Sequence, residues 1–141
     1  MSSPHRSSEP YRFSLRVYYE DTDAGGVVYY ANYLKFMERA RTEWLSSLGF
    51  ELITLERVQG IAFVVHRLEI DYKLPARLGD RLDVTVTLLE LGRARLLVQQ
   101  EISCSGRALT HGRVALACVD RANWRPERIP RDLHARLESL T

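Results

Sequence analysis

One stretch of helical periodicity constrains this chain more than any other feature. Between residues 33 and 48, Leu34, Met37, Ala40, Arg41, Trp44, Leu45 and Leu48 recur at three- and four-residue steps, and Phe36 widens the apolar stripe. About sixteen residues rising 1.5 Å each make a rod of roughly 24 Å, long enough to cross a small sheet. Asn32 is the expected N-cap and Gly49 the expected stop. Nearly all the other apolar segments keep a period of two, so the helix has mainly strands to pack against.

Those strands are legible one by one. Tyr11, Phe13, Leu15, Val17 and Tyr19 share a face opposite Arg12, Ser14 and Arg16. In residues 60–72 the apolar parity flips from Ile61, Phe63 and Val65 to Leu68, Ile70 and Tyr72, which predicts a bulge near His66 and Arg67. Leu82, Val84, Val86 and Leu88 alternate in a third strand, and Ala94, Leu96, Val98, Ile102 and Cys104 in a fourth, where Gln100 breaks the pattern. "LGR" and "CSGR" supply hairpin links. The last strand, about 108–120, is apolar on both parities from Val114 to Val119, as a central strand is. Residues 123–140 add a Pro-rich turn and a short amphipathic helix. Such short links imply antiparallel neighbours. The predicted class is therefore α+β, an antiparallel sheet of about five strands curled around one long helix.

At 141 residues the chain is expected to form one domain over 11–141, behind a disordered tail at 1–10. Its 20 basic and 18 acidic side chains are spread evenly, which argues against nucleic acid as a partner. Lys35 and Lys73 are the only lysines; the other basic residues are Arg, whose planar fork suits phosphate and carboxylate. Cys104 and Cys118 are too few for a disulfide framework and read as small apolar residues. No apolar run reaches the roughly 18 residues of a membrane span, and the first ten residues lack a secretory apolar segment. A cytoplasmic location is expected.

Between the first strand and the helix lies "EDTDAGGVVYYAN", with Asp21 and Asp23 just ahead of Gly25 and Gly26. Taken alone, these acids fit turn formers, metal ligands or catalytic carboxylates. A calcium loop fails, because Gly25 and Asn32 stand where it needs a ligand and a Glu.

The longer segment "VYYEDTDAGGVVYYANYLKFMERARTEWL", continued by "FVVHRLEIDYKLPARLGDRLDVTV", resembles the acyl-CoA thioesterases related to 4-hydroxybenzoyl-CoA thioesterase, closest to the branch associated with the bacterial Tol–Pal system. The similarity spans roughly residues 11–120. It implies a hot-dog fold, homodimers or homotetramers with active sites at subunit interfaces, an acyl-CoA substrate of short-chain or aromatic type, and neither metal nor bound cofactor. By position it places the catalytic carboxylate on Asp23 and the amide that polarises the thioester carbonyl at Tyr30, where the Tol–Pal branch commonly carries His. It also implies that Arg93 and Arg95 contact the phosphates of CoA; Gly26 and Val27 are substrate-binding candidates, since glycine lets the loop backbone come close to a ligand. His66 is a further substrate-binding candidate, reaching a neighbouring subunit's pocket from the bulge; Arg125, Arg128 and Arg131 are weaker phosphate candidates.

The chemistry is consistent with those positions. Thioester hydrolysis builds negative charge on the carbonyl oxygen, and a helix start presents unpaired N–H groups with a positive dipole end. A free Asp titrates near 3.9, low for a general base at neutral pH. Charge alone therefore favours direct attack by Asp23 through an acyl–enzyme anhydride, with activation of a water as the other route. Asp21 is left evenly between a turn former only and a residue that orients the loop. Glu38, Arg39, Arg41 and Glu43 are expected on a solvated helix face, paired at three and four residues. The competing function is a non-catalytic module that binds acyl-CoA or acyl carrier protein, or docks at a membrane-linked assembly. A hydratase would need a His beside the acid, and only His66 is offered.

Overall fold

In the computed structural model, which describes residues 9–141, the chain alternates as its polarity pattern requires; residues 1–8 of the expected tail lie outside the described residues. Strand β1 (Tyr11–Arg16) leads to helix α1 (Asn32–Ser47) and a short helix α2 (Leu52–Val58). Strands β2 (Ile61–Tyr72), β3 (Arg81–Leu91), β4 (Arg95–Cys104) and β5 (Arg107–Asp120) follow, and helix α3 (Arg131–Glu138) closes the chain. The five strands form one antiparallel sheet in the order β1-β3-β4-β5-β2. Strand β5 lies inside the sheet, which accounts for its two-sided apolar run.

Helix α1 lies on one face of this sheet. Phe36, Met37 and Ala40 are fully buried against Val84, Val98 and Val114, whose alternate neighbours face the other way. The helix ends as Gly49 foretold: Gly49 takes φ +98°, and Phe50 N–H donates to Leu45 O at 2.9 Å. The bulge falls on His66, skipped between the pairs Val65–Leu116 and Arg67–Ala115.

Helix and sheet approach closely at Gly112. A Cβ there would stand 3.0 Å from Met37 Cε and 3.3 Å from the Glu69 carbonyl oxygen. The methionine tip can shift, but the strand backbone cannot. Gly112→Ala should therefore cost about 1–3 kcal/mol through overpacking. Thermal unfolding checks this, and an unchanged melting temperature would refute it.

Five expectations change. Strand β1 stops at Arg16, and Tyr19 is 82% exposed instead of facing the core. The Asp21 carboxylate accepts the Tyr18 N–H at 2.8 Å and draws residues 19–21 into a 3-10 turn. Asn32 is not the cap: Ala31 already has helical angles, and Asn32 is the first helical residue. Leu34 sits at the solvent edge of the stripe, 36% exposed. Arg41, read among the solvated charges, is half-buried and donates to Gln100 Oε1 at 3.1 Å; burial lowers its pKa, opposed by Glu38. The expected pairs along α1 are not made: among the described residues the ion pairs are Arg67–Glu69 and His111–Glu101. Cys104 and Cys118 are free, and burial pushes the Cys118 thiol up to about 11, keeping it protonated.

Candidate active site

The segment from Tyr18 to Tyr33 is held by its own backbone and by the loop before β3. Asp23 N–H donates to Val27 O and Gly26 N–H to Asp23 O, each at 3.0 Å, closing a turn in which Gly26 takes φ +77°. That left-handed angle is open to glycine at little cost. The turn is then zipped to residues 76–78: Val28 N–H reaches Ala76 O at 2.9 Å and Leu78 N–H reaches Gly26 O at 3.2 Å. From α1, Tyr33 Oη accepts the Ala76 N–H at 2.9 Å.

The two aspartates divide their work. Asp21 is buried, with Oδ1 accepting Asn32 Nδ2 at 2.9 Å and Oδ2 accepting the Tyr18 N–H. Its carbonyl also takes the Tyr29 N–H at 3.0 Å. Asp21 therefore clamps the end of the first strand to the start of α1, and Asn32 is the clamp's other jaw. Asp23 is exposed; its carboxylate accepts only the Gly25 N–H, at 3.0 Å, among the described residues. Free lone pairs on a fixed turn leave it able to act on a ligand.

Tyr30 stands one residue before the helix cap. Among the described residues, the N–H groups of Tyr30 and Ala31 donate to no backbone or side-chain acceptor. Asn32 N–H donates to Tyr29 O at 2.8 Å, and Tyr72 Oη donates to Tyr30 O at 3.0 Å. The rings of Tyr29, Tyr30, Tyr33 and Tyr72 gather here, with centroids 4.8 Å apart for Tyr29–Tyr30 and 5.3 Å for Tyr33–Tyr72. Burial, then the neighbouring Tyr33 and Tyr30, raises the Tyr72 pKa. At neutral pH its hydroxyl is a donor.

The sequence candidates thus fall into two places. Asp23, Gly26, Val27 and Tyr30 share the turn and the start of α1. His66 and Arg95 line a groove of about 550 Å³ together with Arg67, Glu69 and Arg113. Arg113 and Ala115 point away from the core, so this groove is on the sheet face opposite α1. Arg93 is exposed beside it but outside its lining, and its carbonyl takes the Ile129 N–H at 2.8 Å. Arg125, Arg128 and Arg131 are exposed at the approach to α3. Sequence reasoning missed Tyr72 and gave Asn32 the wrong partner. Among the described residues, no three His, Cys, Asp or Glu side chains come together as a metal site.

A family model described as the thioesterase superfamily matches residues 25–111, starting two positions after Asp23. The acyl-CoA thioesterase YbgC of Haemophilus influenzae is 45% identical over 130 residues, covering 92% of this chain and 96% of its own. A 1,4-dihydroxy-2-naphthoyl-CoA hydrolase of Synechococcus elongatus is 31% identical, covering 87% and 91%. Among solved structures, the DHNA-CoA thioesterase of Staphylococcus aureus superposes with a TM-score of 0.88 at 28% identity, covering 93% and 90%. The sheet and central helix have the hot-dog arrangement.

Proposed function

This chain belongs to the thioesterase superfamily, and from that membership we infer that it is an acyl-CoA thioesterase, releasing a free acid and CoA. One observation carries the assignment of residues: an exposed carboxylate, Asp23, on a turn just upstream of α1, with the unpaired amides of Tyr30 and Ala31 immediately before the helix. The thioester oxygen is held by the Tyr30 N–H, where a preorganised donor is worth about 3–4 kcal/mol in the transition state. An Asp23 oxygen bonds to the carbonyl carbon, the C–S bond breaks, and CoA leaves as thiolate and takes a proton. Water then opens the anhydride, freeing the acid and restoring the carboxylate. Gly26 and Val27 bring backbone close to the acyl group. Short-chain or aromatic acyl groups are the proposed substrates, and the tyrosines around Tyr30 supply an apolar wall for either.

His66 and Arg95, with Arg93 beside them, are proposed to receive the phosphate-bearing end of CoA, supported by the three arginines that line the outer groove. Strand β2 is an edge of the sheet, twelve residues long, with Val65 48% and Tyr72 45% exposed. Such an edge invites pairing with a second copy. A homodimer or homotetramer is accordingly proposed, and sedimentation of the native chain should return one of these; a monomer at micromolar concentration would contradict it. The domain is taken as residues 11–141, with 1–10 a tail. A cytoplasmic setting and association with a Tol–Pal-linked assembly or an acyl carrier protein complete the proposal; co-fractionation with those components tests the association.

Free-thiol release from short, long and aromatic acyl-CoAs tests the activity. Turnover on at least one member is expected. No turnover on any, with acyl-CoA still bound, would favour a binding module instead.

A further inference from the structure

We propose that Tyr72, the last residue of β2, is a positioning residue that aims the Tyr30 amide at the thioester oxygen by holding the Tyr30 carbonyl. This rests on the assignment of the Tyr30 N–H as the oxyanion donor.

Tyr30 is 63% exposed, so core packing does little to set its backbone. Its two flanking peptide groups are instead held by hydrogen bonds. The peptide that carries the Tyr30 N–H has its oxygen, Tyr29 O, bonded by Asn32 N–H at 2.8 Å. The next peptide has its oxygen, Tyr30 O, bonded by Tyr72 Oη at 3.0 Å. Each peptide is planar, so fixing the oxygens on both sides restrains the two soft torsions of Tyr30. The Asn32 bond belongs to the helix start itself. The Tyr72 bond comes from elsewhere in the fold.

Tyr72 is suited to this because it stands on the sheet. Its backbone pairs with Thr110 of β5, and the next two amides, Lys73 and Leu74, both donate to Leu109 O, at 2.8 and 3.1 Å. Its ring lies edge-on to Tyr33, 5.3 Å away, and to Tyr30, 6.4 Å away. The phenol therefore joins a fixed strand end to the peptide that precedes α1. It also draws electron density from the Tyr30–Ala31 peptide, strengthening the unpaired Ala31 N–H as a second donor. Donors fixed before the substrate arrives need no reorganisation during reaction, which is where such groups gain most of their effect.

Tyr72→Phe keeps the ring and removes the bond. On the preferred acyl-CoA, kcat should fall about tenfold, the effect of one lost hydrogen bond expressed at the transition state. KM should stay within about twofold, because ground-state binding is untouched. The melting temperature should match the native protein. A fluorinated tyrosine at position 72, whose phenol ionises at lower pH, gives a signature that a structural role lacks. Its kcat should fall as pH rises through that ionisation, since a phenolate cannot donate, while Tyr72→Phe should follow the native profile at a lower level. The titratable groups facing the phenol are Tyr30 and Tyr33, and neither changes in the variants. Unchanged kcat in Tyr72→Phe would overturn the proposal. A raised KM at native kcat would also overturn it, making the hydroxyl a substrate contact. Asp23→Asn in the same assay separates the two levels: if it is inactive while Tyr72→Phe is native-like, only the positioning role fails, and if it stays active, the site itself is misassigned.

Discussion

Asp23→Asn should lower kcat about a thousandfold, within the range for removal of a reacting or proton-transferring group. It should leave the melting temperature and oligomeric state where they were. The fold has little to lose at this position, because the carboxylate is exposed and its one partner among the described residues is the Gly25 amide, whose bond the Asn side-chain oxygen can still accept. Asp21, two residues earlier, sets the contrast: it is buried, bonded to Tyr18 and Asn32, and tied to the architecture of the loop. Activity lost together with stability at position 23 would place Asp23 in the clamp instead of the chemistry. Repeated turnover in heavy-oxygen water then separates the two routes. Direct attack puts the label into the Asp23 carboxylate over repeated cycles, whereas water activation leaves that side chain unlabelled.

The second large effect is expected far from the chemistry. Gln100→Ala should destabilise the protein by about 3 kcal/mol, combining a cavity in the core with the loss of hydrogen bonds to a charged partner. At this chain length that corresponds to a fall of roughly 10 °C in melting temperature. Gln100 is fully buried; its Nε2 donates to Met37 O at 3.0 Å and its Oε1 accepts from Arg41. It also pairs in register with Gly112, so the amide and the missing side chain lie together beneath Met37 and fix where α1 rests on the sheet. Removing Gln100 leaves a half-buried guanidinium without that acceptor. Replacing both groups with apolar ones, as Gln100→Leu with Arg41→Met, should recover much of the loss, since no unpaired donor remains. Chemical denaturation of the two variants checks this. A double variant less stable than Gln100→Ala would contradict the account.

Gln100 also shows how far the residue pattern reached. Its strand was legible from Leu96, Val98 and Ile102, and Gln100 was the one exception in it. Period-two alternation says which way a side chain points, but not that an inward amide will meet an arginine from a helix about sixty residues away. The same limit explains Arg41. Its spacing put it on the apolar stripe and its charge suggested solvent; the stripe was right because Gln100 supplies the acceptor. Helix α1, the bulge at His66 and the two-sided β5 were readable because each rests on a local repeat. Helix α2 was not, since among its seven residues only Leu55 is buried, while Ile53 and Val58 face outward.

At the site, Asp23 and Tyr30 were placed by resemblance; the structure puts Asp23 on the turn that precedes Val28 and Tyr30 one residue before the cap of α1. Asn32 was given to the cap because its type favours caps, but the buried Asp21 carboxylate binds its side-chain amide instead. Tyr72 was visible only as an alternating apolar residue. Its hydroxyl matters through the carbonyl of a residue 42 positions away, and no spacing rule reports that.

The most direct test of the account is a crystal structure with an acyl-CoA analogue in which a methylene replaces the thioester sulfur and the carbonyl is kept. The predicted result puts the carbonyl oxygen within hydrogen-bond distance of the Tyr30 N–H, the Asp23 carboxylate against the carbonyl carbon, and the nucleotide phosphates on the groove of His66 and Arg95. A carbonyl bound away from the start of α1, with Asp23 touching no part of the analogue, would contradict it.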